Sequence, residues 1–310
     1  MKVLITGGAG YIGSILVPTL LSNGHKVTVL DNYLYRQNTL LDFCWRPDFD
    51  IVRGDVRDWQ LVLDLVNKHD AIIPLAAIVG MPACKRDPVL AEQVNYEAVK
   101  FIAQQKADAQ LLIYPNTNSG YGQGEGAEFT EESELKPISV YGVTKVQAEE
   151  VVRSVPNSVV FRLATVFGVS PKMRLDLLVN DFTYRAWNDG FISLFEPHFK
   201  RNYVHVRDVA DLFAWTLDSP EGIMGEVFNF GLSNANLTKR ELCEKIKEQI
   251  PEFHINEVDF RKDPDQRNYI VLNDKIEERG FWADRTVEAG ITELIKSFNI
   301  LQPNIYSNLL

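Results

Sequence analysis

KVLITGGAGYIGSILVPTLL, residues 2 to 21, runs from a short apolar stretch through a glycine-rich turn into a helical pattern. Its centre, TGGAGYIG (6–13), fits G-x-G-x-x-G through Gly8, Gly10 and Gly13, and G-x-x-G-x-x-G through Gly7, Gly10 and Gly13. Glycines here allow a tight turn and let the backbone approach a pyrophosphate, whose charge rests on the N-terminus of the following helix. Asp31 closes the next apolar run, KVTVLD (26–31), 18 residues after Gly13. An acid there accepts hydrogen bonds from an adenosine ribose and repels a 2′-phosphate, so the pattern points to NAD rather than NADP.

The same alternation continues outward. Apolar runs recur at FDIVRGDV (49–56), AIIPLAA (71–77), LLIYPN (111–116) and VVFRLAT (159–165). Helical spacing fills most of the gaps, as in WQLVLDLVNKH (59–69), AEQVNYEAVKFIAQQK (91–106) and VTKVQAEEVVRS (143–154). Strands that are apolar almost throughout, each followed by a helix, predict an α/β fold with a doubly wound parallel sheet covered on both faces. The alternation weakens after about Gly168. A loop and helix at 170–187, a strand entering a helix at 201–217, and a capped helix after Asn236-Leu237-Thr238 suggest a smaller mixed α/β lobe. The expected division is 1–168 plus about 201–233 for the dinucleotide unit, and about 169–200 plus 234–310 for the smaller lobe.

Composition removes several classes of function. The net charge of −10 argues against a nucleic-acid surface, which needs a basic footprint. Three separated cysteines without a CxxC, and five histidines without ligand spacing, give no disulfide framework and no metal site. No apolar run reaches the ~20 residues needed to span a membrane. The expectation is a reduced, soluble, cytoplasmic protein.

Chemistry is suggested by YGVTK (141–145). Tyr141 and Lys145 are four apart at a helix start, so they share one face. A free tyrosine has a pKa of ~10; a nearby ammonium favours the phenolate, which can then take a proton from a substrate hydroxyl. Asp55 in RGDVRD (53–58) follows the third strand at the adenine edge. AAIVG (76–80) leaves the fourth strand with small residues that suit close passage of a dinucleotide.

Taken together, TGGAGYIG, the Asp31 strand end, GDV (54–56), LAA (75–77), Asn95, YxxxK, FRLATVFG (161–168) and RNYVHVRDVA (201–210) resemble the extended short-chain dehydrogenase/reductases. Within these, the chain is similar to the NAD-dependent nucleotide-sugar epimerase/dehydratase group, built on a Rossmann domain. The resemblance implies NAD held by Gly7, Gly10, Tyr11, Ile12, Gly13, Asp31 and Asn32. Further cofactor contacts are implied at Asp55, Val56, Leu75, Ala76, Ala77, Asn95 and Val166, with Tyr141 and Lys145 at the nicotinamide ribose. It implies that Thr117, four residues before Tyr121-Gly122, orients the reacting sugar hydroxyl. A nucleotide-diphosphate sugar is then met by Asn118, Arg174, Asn180 and Arg201, with Asp265 and Arg267 near the nucleotide ribose. A homodimer through the helices at 91–106 and 143–154 is implied as well. His205 reads as a packed structural histidine.

Departures from the family pattern narrow the reaction. Pro74 replaces the histidine of the fourth strand, and Thr165 replaces the asparagine of Arg-x-x-Asn. The 4,6-dehydratases follow their threonine with Asp-Glu; here Asn118 and Ser119 stand there, and neither is a carboxyl group. GDP-fucose synthases place a cysteine where Ser119 stands. YPNTNSGYG (114–122), FRLATVFG and RLDLLVNDFTYRA (174–186) resemble the GDP-heptose C4 dehydrogenases. The resemblance therefore implies oxidation of a GDP-linked sugar at C4, with GDP-D-glycero-D-manno-heptose as substrate. A nucleotide-sugar 4-epimerase of the UDP-glucose type and a non-catalytic NAD-sensing module stay open as alternatives.

Overall fold

A computed structural model describes residues 1–124, 127–219, 221–258 and 267–301. Strands β1 (Lys2–Thr6), β2 (Lys26–Asp31), β3 (Phe49–Arg53), β4 (Ala71–Pro74) and β5 (Leu111–Thr117) follow the apolar runs read from the sequence. Strands Ser158–Leu163 and Val227–Phe230 complete a seven-stranded sheet. Its order is Val227–Phe230, Ser158–Leu163, β5, β4, β1, β2, β3, and every pairing is parallel. The order reverses between β1 and β4, so a crevice opens at their carboxyl ends, where ligands of such sheets bind.

Side-chain alternation assigns the two faces. Val3 and Ile5 of β1, with Leu111 and Ile113 of β5, enter one apolar cluster. Leu4, Leu112 and Tyr114 enter another on the opposite side. Val3, Leu4 and Ile5 are all wholly buried. Burial of each such side chain stabilises by about 1.5–3 kcal/mol, which explains a run of consecutive apolar residues instead of polar alternation. Helix α1 (Gly13–Ser22) packs on helix Val206–Asp218 beside the first cluster.

A three-stranded sheet (Thr165–Phe167, Lys200–His205, Asn236–Thr238) draws its strands from both expected units, and a two-stranded pair (Phe191–Leu194, His254–Glu257) lies within the stretches expected as the smaller lobe. Helices Leu178–Asn188, Lys239–Gln249 and Val287–Phe298 pack around one another beside them. Leu242, Ile246 and Leu294 belong to the same apolar cluster as Val3 and Ile5, so sheet and lobe share one continuous core. Thr238 caps the helix after it in a capping box with Glu241, as Asn236-Leu237-Thr238 suggested. His205 is buried and meets Glu293 at 2.8 Å.

The helical run expected at 91–106 is less regular than its sequence. Helix Pro88–Glu92 passes through a widened π-type turn, Gln93–Glu97, into helix Ala98–Gln105. Asn95 lies in that turn. Its Oδ1 accepts from the Ile78 amide (2.8 Å), while Nδ2 donates to the Ile78 carbonyl (3.0 Å) and Thr144 Oγ1 (3.3 Å). The turn thereby ties the segment after β4 to the helix that carries Tyr141.

That helix, Val140–Arg153, starts at Ser139, whose Oγ accepts from the Gly142 amide. It is fixed to the sheet by a buried ion pair. Arg162 Nη2 stands 2.6 Å from Glu149 Oε1, and Arg162 Nε donates to Glu149 Oε2 at 3.1 Å. Both residues are at most 2% exposed. Removing one partner would leave a charge buried alone, which costs about 3–5 kcal/mol. Glu149→Ala should lower the urea midpoint accordingly, and the double change Glu149→Leu, Arg162→Leu should recover most of the loss.

Candidate active site

A cleft of ≈ 710 Å³ opens at the carboxyl ends of the strands. The glycine turn forms its floor. Gly7 has φ +69°, and a Cβ there would stand 2.6 Å from the Ala76 backbone. A Cβ on Gly13 would stand 2.4 Å from the Gly8 carbonyl oxygen. Those two glycines are demanded by packing. At Gly10 a Cβ would meet only the Gly7 carbonyl, at 3.0 Å, and Gly10 lines the cleft. Packing asks less of Gly10 than of its neighbours, so its bare backbone suits close approach of a ligand.

Asp31 stands at the end of β2. Its Oδ1 accepts from the Tyr33 amide (2.8 Å) and its Oδ2 from the Ala9 amide (3.0 Å). Burial pushes its carboxyl up, and the two amides pull it back. Gly7, Gly10, Tyr11, Ile12, Gly13, Asp31, Asn32, Val56, Leu75, Ala76, Ala77 and Val166 all line the cleft, as an extended dinucleotide would require. The set fits NAD: a glycine floor for the pyrophosphate and an acid for the ribose.

Strand β5 holds the chemical end through three successive residues. Tyr114 Oη donates to the Lys145 carbonyl (3.2 Å), and Lys145 Nζ donates to the Pro115 carbonyl (2.5 Å). Asn116 Nδ2 donates to Glu149 Oε2. The Lys145 ammonium also lies 4.1 Å above the Tyr114 ring. Thr117 follows; its Oγ1 accepts from the Ser119 amide at 3.1 Å. Arg267 Nη1 donates to Ser119 Oγ. Thr117, Asn118, Tyr141, Lys145, Arg174, Arg201 and Arg267 all line the cleft.

Burial dominates the titration of the pair. It pushes Tyr141 up to about 12, against the positive charges of Arg174 and, less strongly, Arg267. It pushes Lys145 down to about 7, against Glu149. The cations acting on the Tyr141 phenolate in the free protein are therefore the two arginines, a contribution that the Tyr-x-x-x-Lys spacing does not contain.

Three residues expected to touch ligand are not among those that line the cleft. Asn95 is spent on Ile78 and Thr144, as described above. Asp55 pairs with Arg57 at 2.8 Å, and Arg57 rather than Asp55 lines the cleft. Asn180 is wholly buried: its Oδ1 accepts from the Gly168 amide (3.1 Å), and Nδ2 donates to the Arg174 carbonyl (2.9 Å) and Tyr11 Oη (3.3 Å). Asn180 thus braces the glycine turn and the Arg174 segment from behind. Asp265 lies outside the described residues.

The sequence reading missed Lys172, Asp176 and Lys239, which line the cleft. Asp176 holds Arg174 in a two-point pair at 2.6 and 3.1 Å. Among the described residues of the cleft, Asp31 and Asp176 are the only acids, whereas Arg57, Lys145, Lys172, Arg174, Arg201, Lys239 and Arg267 are basic. In a chain of net charge −10, this local excess of cations marks a site for an anion. No group of three or more potential metal ligands occurs among the described residues, and none of their helices is long and apolar enough to cross a membrane.

The family model for NAD-dependent epimerases/dehydratases matches residues 3–231, which include the glycine turn, β5 and the Tyr141 helix. The chain belongs to that family. It is a family enzyme, and its cofactor is NAD. It is 31% identical over 304 residues to the low-salt glycan biosynthesis protein Agl12 of Haloferax volcanii, covering 94% of this chain and 96% of that one. A dTDP-glucose 4,6-dehydratase of Streptomyces niveus is 28% identical over 262 residues, 79% of this chain and 76% of the relative. The solved UDP-glucuronic acid 4-epimerase of Bacillus cereus, in complex with UDP-glucuronic acid and NAD, superposes with a TM-score of 0.86. It is 21% identical and covers 97% of this chain and 100% of that structure, so its likeness is one of fold.

The depressed Lys145 has a consequence for stability. Between about pH 7 and the ordinary lysine value of ~10.4, the unfolded chain holds a proton here that the folded chain lacks. Stability therefore rises with pH across that window, by at most about 1.4 kcal/mol per pH unit from this group. Urea midpoints measured along a pH series should show this limb in the parent protein and a flatter one in Lys145→Met.

Proposed function

We propose that the protein oxidises a nucleotide-diphosphate sugar at C4 and releases the ketone, with GDP-D-glycero-D-manno-heptose as substrate. The observation that carries this reading is the makeup of the cleft beyond Thr117. Asn118 and Ser119 follow it, and the only acids among the described cleft residues are Asp31 at the cofactor end and Asp176, which is paired with Arg174. Elimination of water next to a ketone needs an acid and a base beside the leaving group. Amide and hydroxyl groups at 118 and 119 supply neither.

Tyr141 accepts the C4 hydroxyl proton, and Thr117 orients that hydroxyl. Lys145 holds the cofactor ribose and, when protonated, favours the phenolate. Bound NAD supplies the hydride acceptor. Arg174 and Arg201 take the diphosphate, since guanidinium groups can grip it at two points, and Arg267 lies toward the nucleotide ribose. The GDP-heptose assignment rests on the resemblance of YPNTNSGYG, FRLATVFG and RLDLLVNDFTYRA described above. The same reading includes a homodimer through the helices at 91–106 and 143–154, where Val143 is exposed.

Incubation with GDP-heptose should yield a 4-keto product and a matching rise in NADH absorbance. Tyr141→Phe should reduce the rate by ~10²–10⁴-fold, the range of a general base. An inverted sugar without net NADH would replace this reading with a 4-epimerase.

A further inference from the structure

Thr117 does not stand alone at the end of β5. A short turn, Asn118–Tyr121, follows it. The Ser119 amide donates to Thr117 Oγ1 at 3.1 Å, and the Thr117 hydroxyl donates to Ser119 Oγ at 3.1 Å. Ser119 is buried and lines the cleft, and its Oγ accepts a second hydrogen bond, from Arg267 Nη1. Arg267 lies 148 positions further along the chain. Its segment is anchored at two points. Asn268 Oδ1 accepts from the Lys200 amide at 2.9 Å, and Ile270–Val271 pairs with Glu128–Phe129. The guanidinium thus reaches the chemical end of the cleft from a fixed backbone.

An arginine carries five N–H donors and no acceptor, whereas a hydroxyl has one proton and two lone pairs. In the free protein, Arg267 and Thr117 occupy both lone pairs of Ser119 Oγ. When an oxygen arrives beside Thr117, the Thr117 proton can turn to it, and the Ser119 proton can turn to Thr117 Oγ1 in its place. Arg267 cannot accept that proton. The chain then runs one way: Arg267 to Ser119, Ser119 to Thr117, Thr117 to the arriving oxygen. Both hydroxyls need only rotate. A donor chain that begins at a cation is stronger than a lone hydroxyl. Oxidation of an alcohol builds negative charge on its oxygen as the proton leaves, and a donor aimed there stabilises the transition state.

We infer that Arg267 is a positioning residue: through Ser119 it directs the Thr117 proton to the C4 oxygen of the sugar while Tyr141 takes the hydroxyl proton. This rests on the reading of Thr117 as the residue that orients that hydroxyl. It holds whether the ketone is released or reduced again. Arg267 also acts on Tyr141 through space. Arg174, Cys84 and Arg267 face Tyr141, besides Lys145 on its own helix; the two guanidinium charges favour the phenolate, Arg174 the more strongly. One side chain therefore bears on the group that takes the proton and on the oxygen that gives it up.

The test compares five NAD-loaded proteins with GDP-manno-heptose across about pH 6–10. They are the parent, Ser119→Ala, Arg267→Met, Arg267→Lys, and the double variant Ser119→Ala, Arg267→Met. Single-turnover rates at saturating sugar are followed by NADH absorbance and by NMR of the sugar. Each at its own pH optimum, Ser119→Ala and Arg267→Met should be ~10-fold slower than the parent, short of the ~10²–10³-fold lost with a donor that itself touches the reacting oxygen. The double variant should lose no more than either single one. The rising limb of the pH profile should move to higher pH in Arg267→Met and stay in place in Ser119→Ala, because only the first removes a charge near Tyr141. Arg267→Lys, still a donor and a cation, should recover most of both effects. Losses that multiply in the double variant would overturn the inference, as would an Arg267→Met protein that binds the sugar more weakly yet turns it over at the parent rate. An inverted sugar in place of the ketone, with the same pattern across the variants, would uphold Arg267 and sink the release of the ketone. A ketone without that pattern would do the reverse.

Discussion

One carboxylate without access to water holds the chemical end together. Glu149 binds Arg162 on the neighbouring strand and Asn116 on β5. It sits four residues after Lys145 on the same helix, one turn below the reactive pair. Arg162 reaches further, donating to Tyr121 Oη at 2.9 Å and the Glu131 carbonyl at 3.0 Å. Tyr121 Oη in turn bonds Asn229 Oδ1 at 2.6 Å, in the strand at the sheet edge. A buried pair of this kind is a poor source of net stability, because desolvation offsets attraction. Its effect here is positional. It sets the height of the Tyr141 helix against β5, and with it the geometry of every group that follows Asn116.

The two ends of the cleft are built by different physics. At the cofactor end the backbone is laid bare: glycines remove side chains, and Asp31 is held by two amides so that the turn keeps its shape. At the chemical end, side chains are placed in a dry pocket, and burial governs their protonation. It raises Tyr141 and lowers Lys145 in the free protein. Charges brought by ligands act on a pair that burial has left poised for such changes. The cationic lining of the cleft gives it a local positive charge in a chain of net charge −10.

Much of this was legible in the sequence because it repeats at short range. The glycine spacing, the acid at the end of β2 and the Tyr-x-x-x-Lys spacing are local patterns with one physical meaning each. The alternating apolar runs gave the strands and their parallel arrangement. What was not legible depends on contacts between distant segments. Asn180 matches a phosphate-binding position of the family, yet its amide is consumed by Tyr11, Gly168 and Arg174. Asn95 sits in a π-type turn that helical spacing does not announce. Lys172 and Asp176 line the cleft from a segment that Ser170 Oγ ties to the Tyr11 carbonyl, 159 positions away, at 2.7 Å. Asn116 was passed over because nothing in its neighbours tells that Glu149 will claim its amide.

The central claim is that the reaction stops at the ketone. A single turnover with C4-deuterated GDP-manno-heptose tests it most directly, followed by mass and NMR analysis of cofactor and sugar. The expected result is deuterium on the reduced nicotinamide and none in the released sugar. Deuterium back at an inverted C4 would contradict the account in favour of epimerisation, and deuterium at C6 with loss of water would contradict it in favour of dehydration.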